Sequence, residues 1–188
     1  EQRVNDEQII ALYWARQEAA IAETALKYGG LCTRVAGNIL ASREDSEECV
    51  NDTYFAVWNA IPEQRPQLFP AFISRVTRNL ALKKYEYLSA AKRNPAAVIS
   101  FEELGECVSG RDDAASDAEC RQVERAINAF LWQQGEEKRN LFIRRYWYFD
   151  SIESISGDTG FSQSKVKSIL YEMRRRLRAY LESEGIEV

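Results

Sequence analysis

The sequence has no histidine, and glycine and proline are scarce, with 9 and 4 among 188 residues. Because histidine is the commonest general base and a frequent zinc ligand, its absence argues against a hydrolase and against the usual structural zinc sites. Scarce glycine and proline argue against an all-β protein, whose many tight turns need both. The sequence shows no phosphate-binding loop and no clustered metal ligands. We therefore expect an all-α protein that is not an enzyme and uses no metal and no cofactor.

Apolar runs long enough to cross a bilayer are also missing, since none approaches the ~20 residues that a spanning helix needs. The chain has no signal-peptide pattern, so we expect a cytoplasmic protein with no membrane insertion. Its first residue is Glu1 rather than methionine, and a few native residues are expected to precede it.

Cysteine pairs suited to metal binding are absent as well. The cysteines are Cys32, Cys49, Cys107 and Cys120, and none forms a Cys-x-x-Cys pair. Widely spread cysteines in a cytosolic protein are usually reduced and packed as small apolar groups. We expect thiols of this structural kind.

What the sequence does contain is a hydrophobic fraction of 45%, which is ordinary for a folded protein. The formal net charge of -4 argues against a protein that coats nucleic acid through bulk charge. A local basic face offset by acidic segments elsewhere remains possible.

The spacing of apolar residues predicts helices in the first half of the chain. Helical spacing covers residues 6–28 and resumes as far as residue 40. Gly29-Gly30 lies between the two stretches and is predicted to separate two helices.

A helix-start signal follows at Ser42, which has Asp45 three residues later. The helix that it opens is predicted to end near residue 60, because Ile61-Pro62 disfavours its continuation. A further helix is predicted over residues 71–88. These segments form one compact helical block.

An acidic segment separates this block from a second one. Residues 100–119 contain seven acidic residues and one basic residue. Such a segment is usually a solvated linker, although Phe101 and Leu104 could instead pin a short helical piece onto a neighbouring domain. We assign residues 1–93 to a first helical domain, 94–119 to an acidic linker and 120–188 to a second helical domain.

A pair of helices with concentrated positive charge ends the chain. Ser151 begins a short helix, Gly157–Gly160 supplies a turn, and Ser162 caps the last helix. Residues 161–181 contain six basic residues and one acidic residue. This arrangement is typical of a helix-turn-helix, although an exposed basic face without a ligand is the plainer interpretation. The apolar stripe of the last helix consists of Val166, Ile169, Leu170, Met173, Leu177 and Leu181.

The polar face of this last helix is the candidate contact with duplex DNA. Its first turn is placed to reach base edges in the major groove, whereas the arginines further along meet phosphates. The candidate residues are Ser162, Gln163, Ser164, Lys165, Lys167, Ser168, Tyr171, Arg174 and Arg175.

Taken together, the motifs of both blocks resemble the sigma-70 family of RNA polymerase sigma factors, of the small two-domain extracytoplasmic-function type. Asp45–Trp58 is similar to region 2.2, which docks on the coiled coil of the polymerase β′ subunit. Phe72–Ala81 is similar to region 2.3, which helps to melt and capture the -10 promoter element. The similarity to region 4, which binds the -35 element, lies in Arg139–Tyr146, Ser151–Ile155, Gly160–Ser162 and Val166–Ser168.

The chain departs from the family pattern at several positions. Ser156 and Thr159 stand where the family usually has alanine and an aliphatic residue. Lys165 and Glu172 replace a typical threonine and arginine in the recognition helix. The run Lys83–Glu86 stands where the family often has an aspartate followed by an arginine-rich run. The preferred promoter sequence therefore does not carry over.

One candidate surface lies on the helix that Ser42 opens. Spacing by three and four residues places on one face Glu48, Asn51, Asp52 and Phe55. The resemblance implies that this face binds core RNA polymerase, with the aromatic ring as apolar anchor. A solvated acidic face is the plainer interpretation.

A second candidate surface lies on the next helix, whose polar side carries Arg75, Arg78, Asn79 and Lys83. The resemblance implies that the cations hold the backbone of the -10 strand and that the amide bonds a displaced base. Tyr85 and Tyr87 either stack on unpaired bases or pack within the domain.

The resemblance implies a protein that acts by binding and not by catalysis. Its expected partners are core RNA polymerase, through the β′ coiled coil and the β flap, together with duplex promoter DNA and the melted -10 strand. Small sigma factors of this type commonly also have an anti-sigma factor. This interpretation predicts a monomer, whereas the alternative, a stand-alone helix-turn-helix regulator, predicts a dimer on a palindromic operator. An enzyme with a DNA-binding tail is disfavoured by the missing histidine and phosphate loop.

Overall fold

A computed structural model describes residues 4–88, 94–108 and 117–186, and every regular element in these ranges is an α-helix. The predicted all-α class is confirmed. Contacts divide the chain into two compact units, Glu1–Asn94 and Pro95–Val188. The first unit contains α1 (Asp6–Trp14), α2 (Ala19–Ile39), α3 (Arg43–Ala60) and α4 (Phe69–Tyr87). The second contains α5 (Pro95–Val108), α6 (Asp117–Gln133), α7 (Glu136–Tyr146), α8 (Ile152–Thr159) and α9 (Gln163–Ser183). No helix in the described ranges is both long and apolar enough to cross a membrane.

The predicted break at Gly29-Gly30 is wrong, because α2 runs through both glycines. The interruption between helices lies earlier in the sequence, between α1 and α2, where Arg16 adopts a left-handed conformation with φ of 53°. A glycine inside a helix costs only about 1 kcal/mol, which the packing of α2 against α3 and α4 offsets. At Gly29 a Cβ would lie 3.2 Å from the hydroxyl oxygen of Tyr54, a tight contact that a small shift of the Tyr54 side chain would have to relieve.

The predicted start of α3 is confirmed. The hydroxyl of Ser42 accepts a hydrogen bond from the backbone N–H of Asp45 at 3.2 Å, which satisfies one of the free donors of the first turn. The helix ends at Ala60, directly before Ile61-Pro62. The next helix, α4, begins at Phe69, two residues earlier than predicted, with a proline in its first turn.

Aromatic rings join α1 to α3 and α4 in the core of the first unit. Tyr13 is fully buried, and its ring centroid lies 6.1 Å from those of Trp58 and Phe69. Its hydroxyl is within 2.9 Å of the Thr24 hydroxyl, so the buried polar group has a partner.

Two of the cysteines pack in this core as predicted. Cys32 and Cys49 are free and buried. Burial raises the pKa of both thiols, that of Cys49 to about 12. They are therefore protonated, unreactive packing groups at neutral pH. The side chains of Cys107 and Cys120 lie outside the described residues.

The first part of the expected linker is a helix of the second unit. The segment predicted to be a solvated connector, residues 94–119, contains α5, which packs against α7 and α9. Ala97 and Ser100 are buried, and the ring of Phe101 lies 5.0 Å from that of Phe149. Apolar and small residues at helical spacing thus outweigh the acidic composition. Residues 109–116 lie outside the described part of the chain.

The predicted helix-turn-helix is present as α8 and α9. The hydroxyls of Ser151 and Ser162 cap the two helices by accepting from the backbone N–H groups of Ser154 and Lys165. Gly157 lies within α8, and the turn rests on Gly160, whose φ of 72° is left-handed. Ile169 of the predicted stripe is partly buried. The other five residues are buried: Val166, Leu170, Met173, Leu177 and Leu181.

Candidate polymerase and nucleic-acid interfaces

The candidate polymerase-binding residues lie together on the exposed side of α3. Glu48, Asn51 and Asp52 are exposed, and Phe55 is 69% exposed. The opposite side of the helix packs into the core through residues that include Cys49, Val50, Thr53 and Val57. An exposed aromatic ring beside carboxylates is chemically suited to a partner that is both basic and apolar.

A lysine on α4 joins this acidic face to the neighbouring helix. The ammonium of Lys84 lies 2.8 Å from a carboxylate oxygen of Asp45 and 2.5 Å from one of Glu48. Burial alone would lower the pKa of Lys84, but its hydrogen bonds to both carboxylates outweigh burial and raise it. Sequence analysis missed Lys84, because only the packing of α4 against α3 shows that the lysine reaches Asp45 and Glu48.

The candidate -10 residues divide into two groups. Arg75, Asn79 and Lys83 are exposed along α4. Arg78 is partly buried, and burial lowers the pKa of its guanidinium. The surface that can meet a nucleic-acid strand therefore consists mainly of the three exposed residues.

The two tyrosines at the end of α4 also differ. Tyr87 is 80% exposed and has its ring available for stacking on a base. Tyr85 is partly buried and has contacts within the protein. Of the two alternatives from the sequence, the structure is compatible with stacking at Tyr87.

Most candidate -35 residues lie on the solvent-facing side of α9. Tyr171 is 61% exposed, and the amino group of Lys165 lies 3.3 Å from the ring centroid of Phe161. The exposed candidates are Ser162, Gln163, Ser164, Lys165, Lys167, Ser168, Tyr171 and Arg175. This face combines amide, hydroxyl and cationic groups, which are the groups that read base edges and bind phosphates.

Arg174 differs from the other candidates because it points towards the protein. Its side chain is 14% exposed, and it donates a hydrogen bond to the Tyr146 hydroxyl at 2.5 Å. The same guanidinium lies 3.7 Å from a carboxylate oxygen of Glu103. Its charge is therefore shared with groups on α5 and α7.

Glu103 stands at the centre of a cluster that sequence analysis did not predict. Its two carboxylate oxygens accept hydrogen bonds from the Nε and Nη2 of Arg145, each at 3.1 Å. The Tyr146 hydroxyl donates to the same carboxylate at 3.1 Å. Burial and the neighbouring negative charge raise the pKa of this tyrosine. The sequence alone could not single out Glu103, because it lies in an acidic segment and no local sequence feature distinguishes it from the exposed Glu102.

A second cation of α7, Arg144, forms ion pairs at and just before α8. The guanidinium of Arg144 donates to Asp150 at 2.7 Å and to Asp158 at 2.6 Å. Burial would lower the pKa of Arg144, but the two carboxylates outweigh it and raise the pKa. The first helix of the helix-turn-helix is thus tied to α7 by a shared ion pair.

Comparison with known proteins bears on the first unit. Residues 25–92 match the family model of sigma-70 region 2, a span from within α2 to just beyond α4. No curated protein matches the chain. Among solved structures, the chain is similar to CnrH as seen in complex with the cytosolic domain of CnrY. The identity is 18% and the TM-score 0.44, with 95% of this chain and 97% of that chain covered. The matched segment contains both candidate faces of the first unit, so this part of the chain resembles region 2 of the sigma-70 family.

Proposed function

We propose that this chain is a two-domain sigma factor of the extracytoplasmic-function type, which directs core RNA polymerase to promoters by contacting their -10 and -35 elements. The observation that carries the proposal is the region 2 match over residues 25–92. Within that span α3 presents an acidic and aromatic face, and α4 presents a cationic and amide face.

The α3 face is the proposed docking site for core polymerase. Phe55 supplies an exposed apolar anchor, and Asp52 and Glu48 surround it with negative charge. A partner with a basic and apolar surface, such as the β′ coiled coil, would desolvate the ring and pair with the carboxylates.

The α4 face is the proposed site for the melted -10 strand. Arg75 and Lys83 can bind phosphates, while the amide of Asn79 can bond the edge of an unpaired base. Melting needs no catalytic group, because capturing an unstacked base offsets the free energy of unstacking. The exposed ring of Tyr87 offers a stacking surface for such a base.

The polar face of α9 is the proposed -35 contact, inserted in the major groove. Gln163, Ser164 and Lys165 are exposed on its first turn, where a recognition helix reaches base edges. The exposed Lys167 and Arg175 are placed for phosphates. This assignment rests on the geometry of α8 and α9.

The decisive experiment is transcription in vitro with purified core polymerase, with and without the chain, on a pool of genomic promoter fragments. We expect initiation from a subset of promoters only when the chain is present. Asp52→Lys should abolish this activity, whereas Glu63→Lys makes the same charge change at an exposed position after α3 and should preserve it. Initiation that is independent of the chain would overturn the proposal.

The oligomeric state separates this function from that of a stand-alone regulator. A sigma factor is expected to be a monomer that binds one polymerase and an asymmetric promoter, whereas a regulator of this size would be a dimer on a palindrome. Mass measurement in solution, alone and with core polymerase, distinguishes the two. An anti-sigma factor, if the cell has one, is expected to compete for the same exposed faces.

A further inference from the structure

Glu103 links α9, the candidate recognition helix, to α5 and α7. It belongs to α5, and its partners belong to α7 and α9. We propose that Glu103 is a positioning residue for -35 recognition, which holds Arg174 and thereby orients the exposed face of α9. This inference rests on the proposed function of α9.

The carboxylate is well placed for this role because its bonds are charge-assisted and largely shielded from water. The side chain of Glu103 is 25% exposed, and that of Arg145 is 3% exposed. Two parallel N–H···O bonds between a guanidinium and a carboxylate fix both groups in one geometry. Arg145 also donates to the backbone carbonyl of Asp150 at 3.1 Å, so it cannot swing away without losing a second bond.

Arg174 connects the cluster around Glu103 to the exposed side of α9, the side proposed to face DNA. Its hydrogen bond to Tyr146 directs the guanidinium inwards, away from a position where it could meet a phosphate. The same guanidinium carbon lies 5.9 Å from the ring centroid of Tyr171, which is 61% exposed. Arg174 therefore supports a candidate DNA-contacting residue from behind, and its effect on binding should be indirect.

A positioning role and simple electrostatics predict opposite results when Glu103 is neutralised. A carboxylate near a DNA-binding helix repels phosphates, so electrostatics alone predicts tighter binding after its removal. If Glu103 orients α9, its removal weakens binding to the preferred sequence despite the lost repulsion. The sign of the change separates the two explanations.

The test uses the full chain bound to core polymerase and compares Glu103→Gln with Glu102→Gln. Glu102 is the exposed neighbour on the same helix and makes the same charge change. The probes are duplexes selected from a random-sequence library by the wild-type complex, together with an unselected random duplex.

We expect Glu103→Gln to weaken binding to the selected duplexes about tenfold, as the loss of a charge-assisted hydrogen bond would. Binding to the random duplex should not weaken, since only phosphate repulsion is removed there, and Glu102→Gln should weaken neither. Binding of Glu103→Gln that equals or exceeds wild type on selected duplexes would overturn the inference. If the wild-type complex selects no duplex, the proposed role of α9 itself fails, which is a different result.

A further variant and a stability measurement keep the test independent of folding. Tyr146→Phe removes only the hydroxyl between Arg174 and Glu103 and keeps the ring, which lies 4.6 Å from that of Phe142. It should reduce discrimination between selected and random duplexes in the same direction as Glu103→Gln. Thermal unfolding of each variant sets the assay temperature well below its transition.

The salt dependence of binding decides whether Arg174 contacts a phosphate. A lost phosphate contact reduces the slope of log affinity against log salt by about 0.9. We expect Arg175→Gln, at the exposed neighbouring position, to show this reduction, whereas Arg174→Gln should keep the slope and lose discrimination. Arg174→Gln with a reduced slope and an equal loss on both duplexes would refute the positioning role.

Discussion

Lys84 of α4 donates a hydrogen bond to Glu48 of α3 across 2.5 Å, so the two helices with the candidate polymerase and -10 faces are joined by an ion pair. The same ammonium lies 2.8 Å from Asp45. One cation thus bridges two carboxylates of α3 and reduces the repulsion between them.

Replacing Lys84 with methionine should lower the free energy of unfolding by about 1 kcal/mol, because partly exposed ion pairs contribute on this scale and the two carboxylates then face each other. Urea denaturation at pH 7 measures the change. Lys83→Met removes the same charge at an exposed position and should have almost no effect. Equal losses in the two variants would contradict a specific role for Lys84.

The stability of the first unit should depend on pH through the ionisation of Asp6. This carboxylate accepts hydrogen bonds from the Lys27 ammonium and the Tyr28 hydroxyl, both at 2.6 Å. Burial alone would raise the pKa of Asp6, but the two hydrogen bonds outweigh it and lower the pKa below 3.8. A lowered pKa contributes stability above pH 3.8, and this contribution is lost as the pH falls through the lowered value.

Asp6→Asn should therefore reduce stability at pH 7, by less than about 1 kcal/mol for such a partly exposed ion pair, and the difference from wild type should shrink below pH 3.8. Urea denaturation of both proteins across this pH range measures the difference in unfolding free energy. The exposed neighbour provides the control, since Glu7→Gln removes the same charge and should change stability little. A difference for Asp6→Asn that grows towards acid pH would refute the assignment.

Truncation of Phe55 should weaken binding to core polymerase by at least about tenfold, which is the effect of removing an aromatic anchor. Because the ring is 69% exposed, the unfolding free energy should stay unchanged. Fluorescence anisotropy with labelled chain and purified core polymerase measures the affinity. Leu68→Ala removes a side chain that is 71% exposed outside the candidate face, and it should bind like wild type.

The two glycines near the helix-turn-helix corner should respond in opposite directions to alanine. Gly160 has a left-handed φ of 72°, so Gly160→Ala should destabilise the second unit by about 1 kcal/mol although space for a Cβ is available. Gly157 is helical with open space around it, and Gly157→Ala should stabilise by up to about 1 kcal/mol. Thermal unfolding detects both shifts, and a stabilised Gly160→Ala would contradict the role of the turn.

The features that could be predicted from the sequence are those set within one helical turn. Ser42 and Ser162 cap α3 and α9 as expected, since each hydroxyl bonds a backbone N–H three residues away. The buried stripe of α9 also follows from local spacing. The error at Gly29-Gly30 arose because packing against α3 and α4, which local spacing does not reveal, overrides the low helix propensity of glycine.

The sequence by itself determined the helical class, the helix caps, the exposed face of α3 and the basic face of α9, because each depends on residues three or four apart. Only the tertiary structure decided which charges face solvent and which are held inside. Glu103 meets Arg145 across 42 residues, and Lys84 meets Glu48 across 36. Arg174 and the exposed Arg175 look alike in sequence, but the carboxylate of α5 and the hydroxyl of Tyr146 lie beside only one of them. Helix packing determines which of these distant residues meet, and the local spacing of residues does not reveal how helices pack.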